Sequence, residues 1–325
     1  MRAVILDLKG LDSLDLHAIE ALVDELVCYD LTPVEQIANR IEGFDIVITN
    51  KTPLTRKVLS AAKGIKFISV TATGTNVIDR DAARELGIPV SNCVAYGVDS
   101  VAQHVWSLIL ALHTNLLSYA SDVNNGQWQK SDQFCFLTHP IVELSGRTLG
   151  IIGYGSLGKA VAKVAAAFGM NVIVCQKIGQ QTQGEQTQGL DQAPPQRLPF
   201  AKFLEQADVI SLHCPLTDET NNLFDHAVLE KMKPGAFLIN AARGGIVNEA
   251  DLAQALKNGV LAGAAVDVLT VEPPKSGNAL LAPNIPNLIL TPHIAWGSVE
   301  ARTRIIQQTA ENIKAFMEGR SIRTV

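Results

Sequence analysis

A cluster of glycines and a few titratable side chains are the residues in this sequence with chemistry to offer. Gly153-Tyr154-Gly155-Ser156-Leu157-Gly158 has the spacing G-x-G-x-x-G. It follows the apolar run Leu149-Gly150-Ile151-Ile152 and opens an alanine-rich stretch, Lys159 to Phe168, of helical character. In that setting Gly153 permits a tight turn, Gly155 lets backbone approach a pyrophosphate, and Gly158 lets helix and strand pack closely, while the helix N-terminal amides meet the anion. A βα turn that merely needs three glycines is the plainer alternative; the flanking strand and helix favour the dinucleotide. About twenty residues on, an acid would accept from the ribose hydroxyls and repel a 2′-phosphate. There the sequence reads Val174-Cys175-Gln176-Lys177. Gln176 leaves the coenzyme open between NAD and NADP, with NAD the default. Lys177 is either an attraction for a phosphate or a solvated surface lysine.

Three further side chains close strand-like runs. Ala236 to Ala241 ends in Ala242-Arg243-Gly244-Gly245, Gly263 to Leu269 is followed by Glu272-Pro273-Pro274, and Asn287 to Thr291 ends in Pro292-His293. Polar residues at the C-terminal ends of parallel strands collect at the crevice where such sheets bind ligands. Reduction of a 2-oxo acid by a nicotinamide coenzyme needs a cation for the carboxylate and a proton donor for the carbonyl oxygen. Arginine holds a carboxylate by two parallel hydrogen bonds, and histidine gives and takes a proton near neutrality. Glu272 would accept from the imidazole and stabilise its charged form. Each has a duller alternative: Arg243 as a helix cap, Glu272 as a solvated loop acid, His293 as a satisfied buried histidine. Their shared place on strand ends beside a dinucleotide motif favours catalysis.

The elements that must position these residues follow from the pattern. Ala3 to Leu8, Asp45 to Thr49 and Phe67 to Thr71 read as strands, with helical patterns at Ala18 to Leu26 and Pro33 to Arg40. A second series of strands runs Thr148 to Gly153, Asn171 to Cys175, Val209 to Cys214, Ala236 to Ala241, Gly263 to Leu269 and Asn287 to Thr291. Several are continuous apolar runs, as strands covered on both faces require. Strands alternating with helices predict crossovers onto parallel sheets. Between the two series, Val101, Val105, Leu108, Ile109 and Leu112 predict a long inter-domain helix over about Ser100 to Ala120. Ser121 to Leu144 then holds Trp128, Phe134, Phe136 and Ile141, too apolar for a solvated loop, and packs either within the subunit or on a second one. Gln176 to Gln196 carries eight glutamines and predicts a surface excursion with no core. Ser298 to Gly319 predicts a terminal amphipathic helix returning to the first domain.

Length and composition agree with this outline. At 325 residues the chain is about two domains long. A hydrophobic content of 47% with 18% charged residues excludes disorder, collagen and coiled coil. The net charge of −5 without a basic run gives nucleic acid little reason to bind. Five scattered cysteines, none in a CxxC pair, suggest neither disulfide framework nor zinc site, and no metal is expected. Without a secretory apolar core or a spanning run, the expectation is a cytoplasmic protein with no membrane partner.

The motifs Gly150-Ile151-Ile152-Gly153-Tyr154-Gly155, His213-Cys214-Pro215-Leu216-Thr217, Leu238-Ile239-Asn240-Ala241-Ala242-Arg243-Gly244, Ala265-Val266-Asp267-Val268 and Thr291-Pro292-His293-Ile294-Ala295 together resemble the D-isomer-specific 2-hydroxyacid dehydrogenase family. Thr71-Ala72-Thr73-Gly74-Thr75-Asn76 and Gln133-Phe134-Cys135-Phe136 resemble its bacterial glycerate dehydrogenase, or hydroxypyruvate reductase, branch. The resemblance implies an α/β fold of two Rossmann-like domains with parallel sheets. A coenzyme domain, 100–296, is inserted into a discontinuous, flavodoxin-like substrate domain, 1–99 and 297–325. It implies that Arg243, Glu272 and His293 are the catalytic trio, that Asp267 contacts the nicotinamide carboxamide, and that Ser156 and Leu157 lie on the pyrophosphate. Cys214 and Pro215 would line the adenine side, Ala241 and Ala242 would lie under the nicotinamide ribose, and the amides of Thr73, Gly74, Thr75 and Asn76 would meet the substrate carboxylate. A homodimer acting on a small 2-oxo or 2-hydroxy acid is implied, reducing hydroxypyruvate and glyoxylate to D-glycerate and glycolate.

Departures from the family's pattern are Gln176, the glutamine-rich insert, and Val77 where this branch commonly has Asn. Glu272 argues against formate dehydrogenase chemistry, which has glutamine there, and the chain ending at Val325 leaves no room for an appended regulatory domain. A second reading is a dinucleotide-sensing interaction protein similar to the corepressors built on this fold. Such a protein would bind coenzyme without consuming it.

Overall fold

A computed structural model describes residues 1–11, 14–178 and 195–325. The chain divides into two units, Met1–Gly97 with Gly297–Val325, and Val98–Trp296. In the first, β1 (Arg2–Ile5), β2 (Glu25–Cys28), β3 (Ile46–Thr49), β4 (Phe67–Val70) and β5 (Val90–Ser91) form a parallel sheet in the order β2-β1-β3-β4-β5. One face is covered by the helices Ile37–Ile41, Arg56–Ala61 and Arg80–Glu85, through a core that includes Val4, Leu6, Val47, Ile68 and Val70. The terminal helix Val299–Met317 packs on the sheet too: Phe316 stacks on Phe67 with centroids 4.7 Å apart, and Asn312 donates to the carbonyl of Asn92. Ser298 caps that helix by accepting from the amide of Ala301.

The second unit holds β6 (Thr148–Ile152), β7 (Asn171–Cys175), β8 (Gln196–Leu198), β9 (Val209–Leu212), β10 (Phe237–Asn240), β11 (Gly263–Val266) and β12 (Leu288–Leu290). All pair in parallel, in the order β12-β11-β10-β9-β6-β7-β8. The chain builds outward from β6 through β7 and β8, then crosses to β9 and builds the other way. The order reverses between β6 and β9, the point at which open α/β sheets bind ligands. The apolar runs read as doubly covered strands are so: all four residues of β9, β10 and β11 are buried. The helices Val98–Thr114 and Ser156–Ala167 cover one face, and Phe200–Gln206 and Glu249–Lys257 the other.

Three expectations need correction. Ala18 to Leu26 is not one helix, because the helix ends at Glu20 and Glu25–Cys28 is strand β2. Its apolar residues pair at the sheet edge, where alternation of period two and helical spacing are hard to tell apart over so few positions. The helix expected over Ser100 to Ala120 breaks at Asn115, which adopts φ of 50°, and resumes as Leu116–Asn124. Asparagine tolerates that left-handed conformation better than most residues. Gln196 lies in β8 and not in a surface excursion; the rest of that expectation, 179–194, lies outside the described residues. No helix among the described residues is long and apolar enough to cross a membrane, and none of their His, Cys, Asp and Glu clusters could hold a metal.

Candidate active site

The glycine turn sits where the order of the second sheet reverses. Gly153 adopts φ of 92°, a conformation that favours glycine, and a Cβ there would meet the backbone of His213 and Cys214 at the end of β9. A Cβ on Gly158 would collide with the carbonyl of Gly153, so the helix can start this close to the turn only with glycine. Gly155 differs: it is extended, and a Cβ on it would enter open space. It is the N-cap of Ser156–Ala167, and no side chain caps that helix. A turn that keeps open space above Gly155 and leaves the amides of a twelve-residue helix without a side-chain acceptor fits a pyrophosphate.

Arg243, Glu272 and His293 stand in the loops after β10, β11 and β12. The turn that presents Arg243 is set by Asn240, buried at the end of β10, which accepts from the amide of Ala242 and donates to the carbonyl of Arg243. The guanidinium donates through Nη1 to the carbonyl of Ala242 at 2.7 Å, which orients it. Gly244 lets this loop lie against the next, because a Cβ there would collide with the carbonyl of Leu269. Leu269 in turn donates its amide to Glu272 Oε1 at 2.7 Å, and Glu272 Oε2 pairs with His293 Nδ1 at 2.6 Å. The three loops are thus chained together by contact. His293 is held at φ of 57°, with its amide on the carbonyl of Asp267 at 2.7 Å. With Nδ1 committed to the carboxylate, Nε2 is the ring atom left for proton transfer.

Asp267 is 1% exposed. It accepts from the amides of Ile294 and Ala295, both at 2.9 Å, and from the Thr291 hydroxyl at 2.5 Å. His104 Nε2 stands 3.1 Å from that hydroxyl and 3.6 Å from the carboxylate. The sequence reading misses His104 and Glu249, and it quotes Thr291 and Asn240 within motifs without giving either a role. Glu249 accepts from the amide and hydroxyl of Thr270 and from Asn278, and so ties the loop that carries Glu272 to the helix Glu249–Lys257. His104, at helical spacing among apolar neighbours, gave no signal of its partner nearly two hundred residues away.

Of the other expected site residues, Gln176 continues β7 and donates its amide to the carbonyl of Leu198. Cys214 and Pro215 follow β9 directly beside the glycine turn, and Ala241 and Ala242 follow β10. Burial pushes the thiols of Cys175 and Cys214 up, the former to about 12, which keeps both in the neutral thiol form near neutrality. In the first unit, Thr73, Gly74, Thr75 and Asn76 form the loop after β4, anchored where Asn92 donates to the carbonyl of Thr73. The amides of these four residues donate to no other described residue.

A glycine turn at the reversal of a doubly wound parallel sheet, with polar loops grouped on the adjoining strand ends, defines a dinucleotide-binding α/β protein. The chain belongs to the D-isomer specific 2-hydroxyacid dehydrogenase family, whose NAD-binding-domain model matches residues 106–295. It is 44% identical over 286 residues to a glycerate dehydrogenase of Methylorubrum extorquens, covering 88% of this chain and 87% of that one. It is 38% identical over 330 residues to a hydroxypyruvate reductase of Blautia hydrogenotrophica, covering 100% and 99%. A solved protein of Thermus thermophilus superposes with a TM-score of 0.85 at 32% identity, covering 99% of this chain and 98% of its own.

Proposed function

We propose that this protein reduces hydroxypyruvate, and glyoxylate beside it, to the D-hydroxy acid with a nicotinamide dinucleotide. The observation that carries the reading is the 2.6 Å pairing of His293 with Glu272 at the strand ends of the domain that holds the glycine turn. The coenzyme, when bound, supplies the hydride. His293 Nε2 gives its proton to the carbonyl oxygen, and Glu272, through Nδ1, holds the ring in orientation and balances the imidazolium. Arg243 binds the substrate carboxylate and polarises the carbonyl. Asp267, locked by two amides and a hydroxyl, would accept from the nicotinamide carboxamide. The turn Gly153–Gly158 takes the pyrophosphate, Gln176, Cys214 and Pro215 the adenosine, and Ala241 with Ala242 the nicotinamide ribose. The free amides of Thr73–Asn76 take a carboxylate, as amides in such loops do with anions. Val98–Trp296 is on this reading the coenzyme domain, and Met1–Gly97 with Gly297–Val325 the substrate domain.

The protein acts as a homodimer. The support is a band of exposed apolar side chains in and after the helix Leu116–Asn124, with Phe134 at 88% and Leu137 at 78% exposure beside Leu116, Leu117, Trp128 and Ile141. A two-fold axis would bury such a patch against the same patch of a second copy. A cytoplasmic location suits the five free thiols.

Steady-state kinetics with hydroxypyruvate, glyoxylate and pyruvate, each against NADH and NADPH, tests the reading. Hydroxypyruvate is expected to be turned over best, and His293→Ala to cost about a hundredfold or more in kcat. Coenzyme binding without consumption by any of the three acids would favour a sensor instead. Unchanged turnover in His293→Ala would remove that residue from the mechanism.

A further inference from the structure

The short strand β8 sets a cation beside the position where an acid would select the coenzyme. Register pairs Val174 with Arg197 and Cys175 with Leu198, and the amide of Gln176 donates to the carbonyl of Leu198 at 2.9 Å. Side chains alternate across a strand, so Val174 and Gln176 lie on one face, and Arg197, paired with Val174, lies on that same face. It is the face of the helix Ser156–Ala167: Val174 packs there with Tyr154, Leu157 and Val161. The guanidinium of Arg197 stands 6.0 Å from the centre of the Tyr154 ring, and Tyr154 is the second residue of the glycine turn. The aromatic face restrains the guanidinium at the rim of the turn.

Among the described residues the charge balance at this rim is one-sided. Gln176 is neutral, and Arg197 is exposed with no acidic partner among the described residues. Glu219, whose carboxyl is held below the usual range first by a hydrogen bond with Thr217 and more weakly by Lys177, offsets Lys177. A planar guanidinium matches phosphate oxygens in pairs, and no carboxylate stands at the Gln176 position to repel them.

We propose that Arg197 receives the 2′-phosphate of the adenosine ribose, beside a Gln176 that no longer excludes it, and that the protein therefore prefers NADP(H) to NAD(H). This reverses the default towards NAD, and it rests on the reading of Gly153–Gly158 as the coenzyme turn. Isothermal titration of the full-length protein with 2′,5′-ADP and with 5′-ADP tests it without recourse to turnover. The wild type is expected to bind 2′,5′-ADP about tenfold or more tightly than 5′-ADP, the scale of one or two charge-assisted hydrogen bonds. Arg197→Ala is expected to abolish that preference and to bind 5′-ADP within about twofold of wild type, which also reports an intact fold. Gln176→Glu is expected to weaken 2′,5′-ADP selectively. Equal binding of the two nucleotides by the wild type would overturn the proposal, as would a preference that survives Arg197→Ala or is lost in Lys177→Ala instead. Failure of the wild type to bind either nucleotide would bring down the coenzyme-site reading itself, whereas good but equal binding would leave that reading standing.

Discussion

Burial in the turn after β9 pushes the His213 imidazole down to about 4, from an ordinary value of about 6.5. Its Nε2 pairs with the Ser211 hydroxyl at 2.9 Å, and its Nδ1 is shielded without a partner among the described residues. Between those two values the unfolded chain binds a proton that the folded one refuses, so stability is whole above pH 6.5 and falls as the pH drops towards 4. Urea unfolding at pH 7 and pH 4.5 is expected to show a loss larger by about 2 to 3 kcal/mol in the wild type than in His213→Gln. Equal losses would show that the ring is solvated. At this scale the sequence was informative where a residue closes a strand. Arg243, Glu272 and His293 could be picked out because their runs are apolar and their types suit proton and carboxylate chemistry. Asn240 and Glu249, which shape the loops that carry Arg243 and Glu272, act through contacts that spacing alone does not announce.

Among the elements, the βα turn at Gly153–Gly158 separates two uses of glycine. Gly158 serves packing, since a Cβ would strike the carbonyl of Gly153, whereas Gly155 opens on free space. Gly158→Ala is therefore expected to destabilise the fold by about 1 to 3 kcal/mol, as overpacking does. Gly155→Val is expected to cost the fold no more than the about 1 kcal/mol of a poorer N-cap while weakening 5′-ADP at least about tenfold, because its side chain takes the room of two or three hydrogen-bonded phosphate contacts. Wild-type affinity in Gly155→Val would place the pyrophosphate elsewhere. Most strands were legible because continuous apolar runs have no other home in an α/β fold. Strands β2, β5 and β8 were not: they are two to four residues long, and their pairing is decided by neighbours far away in sequence.

For the whole molecule, the exposed apolar band around Phe134 and Leu137 makes association measurable. Light scattering is expected to give twice the monomer mass for the wild type at micromolar concentration, and the monomer mass for Phe134→Asp with Leu137→Asp. A wild type that stays monomeric would leave that band to another partner. The packing of Val299–Met317 on the first sheet, with Phe316 on Phe67 and Asn312 at Asn92, bears on how the protein is made. Strands β1 to β5 leave the ribosome early, but the helix that roofs one of their faces is translated only after the entire second unit. Throughout that interval the nascent sheet has an unclad greasy side, open to chaperones or to wrong pairing, and a chain clipped before Val299 would never escape that condition.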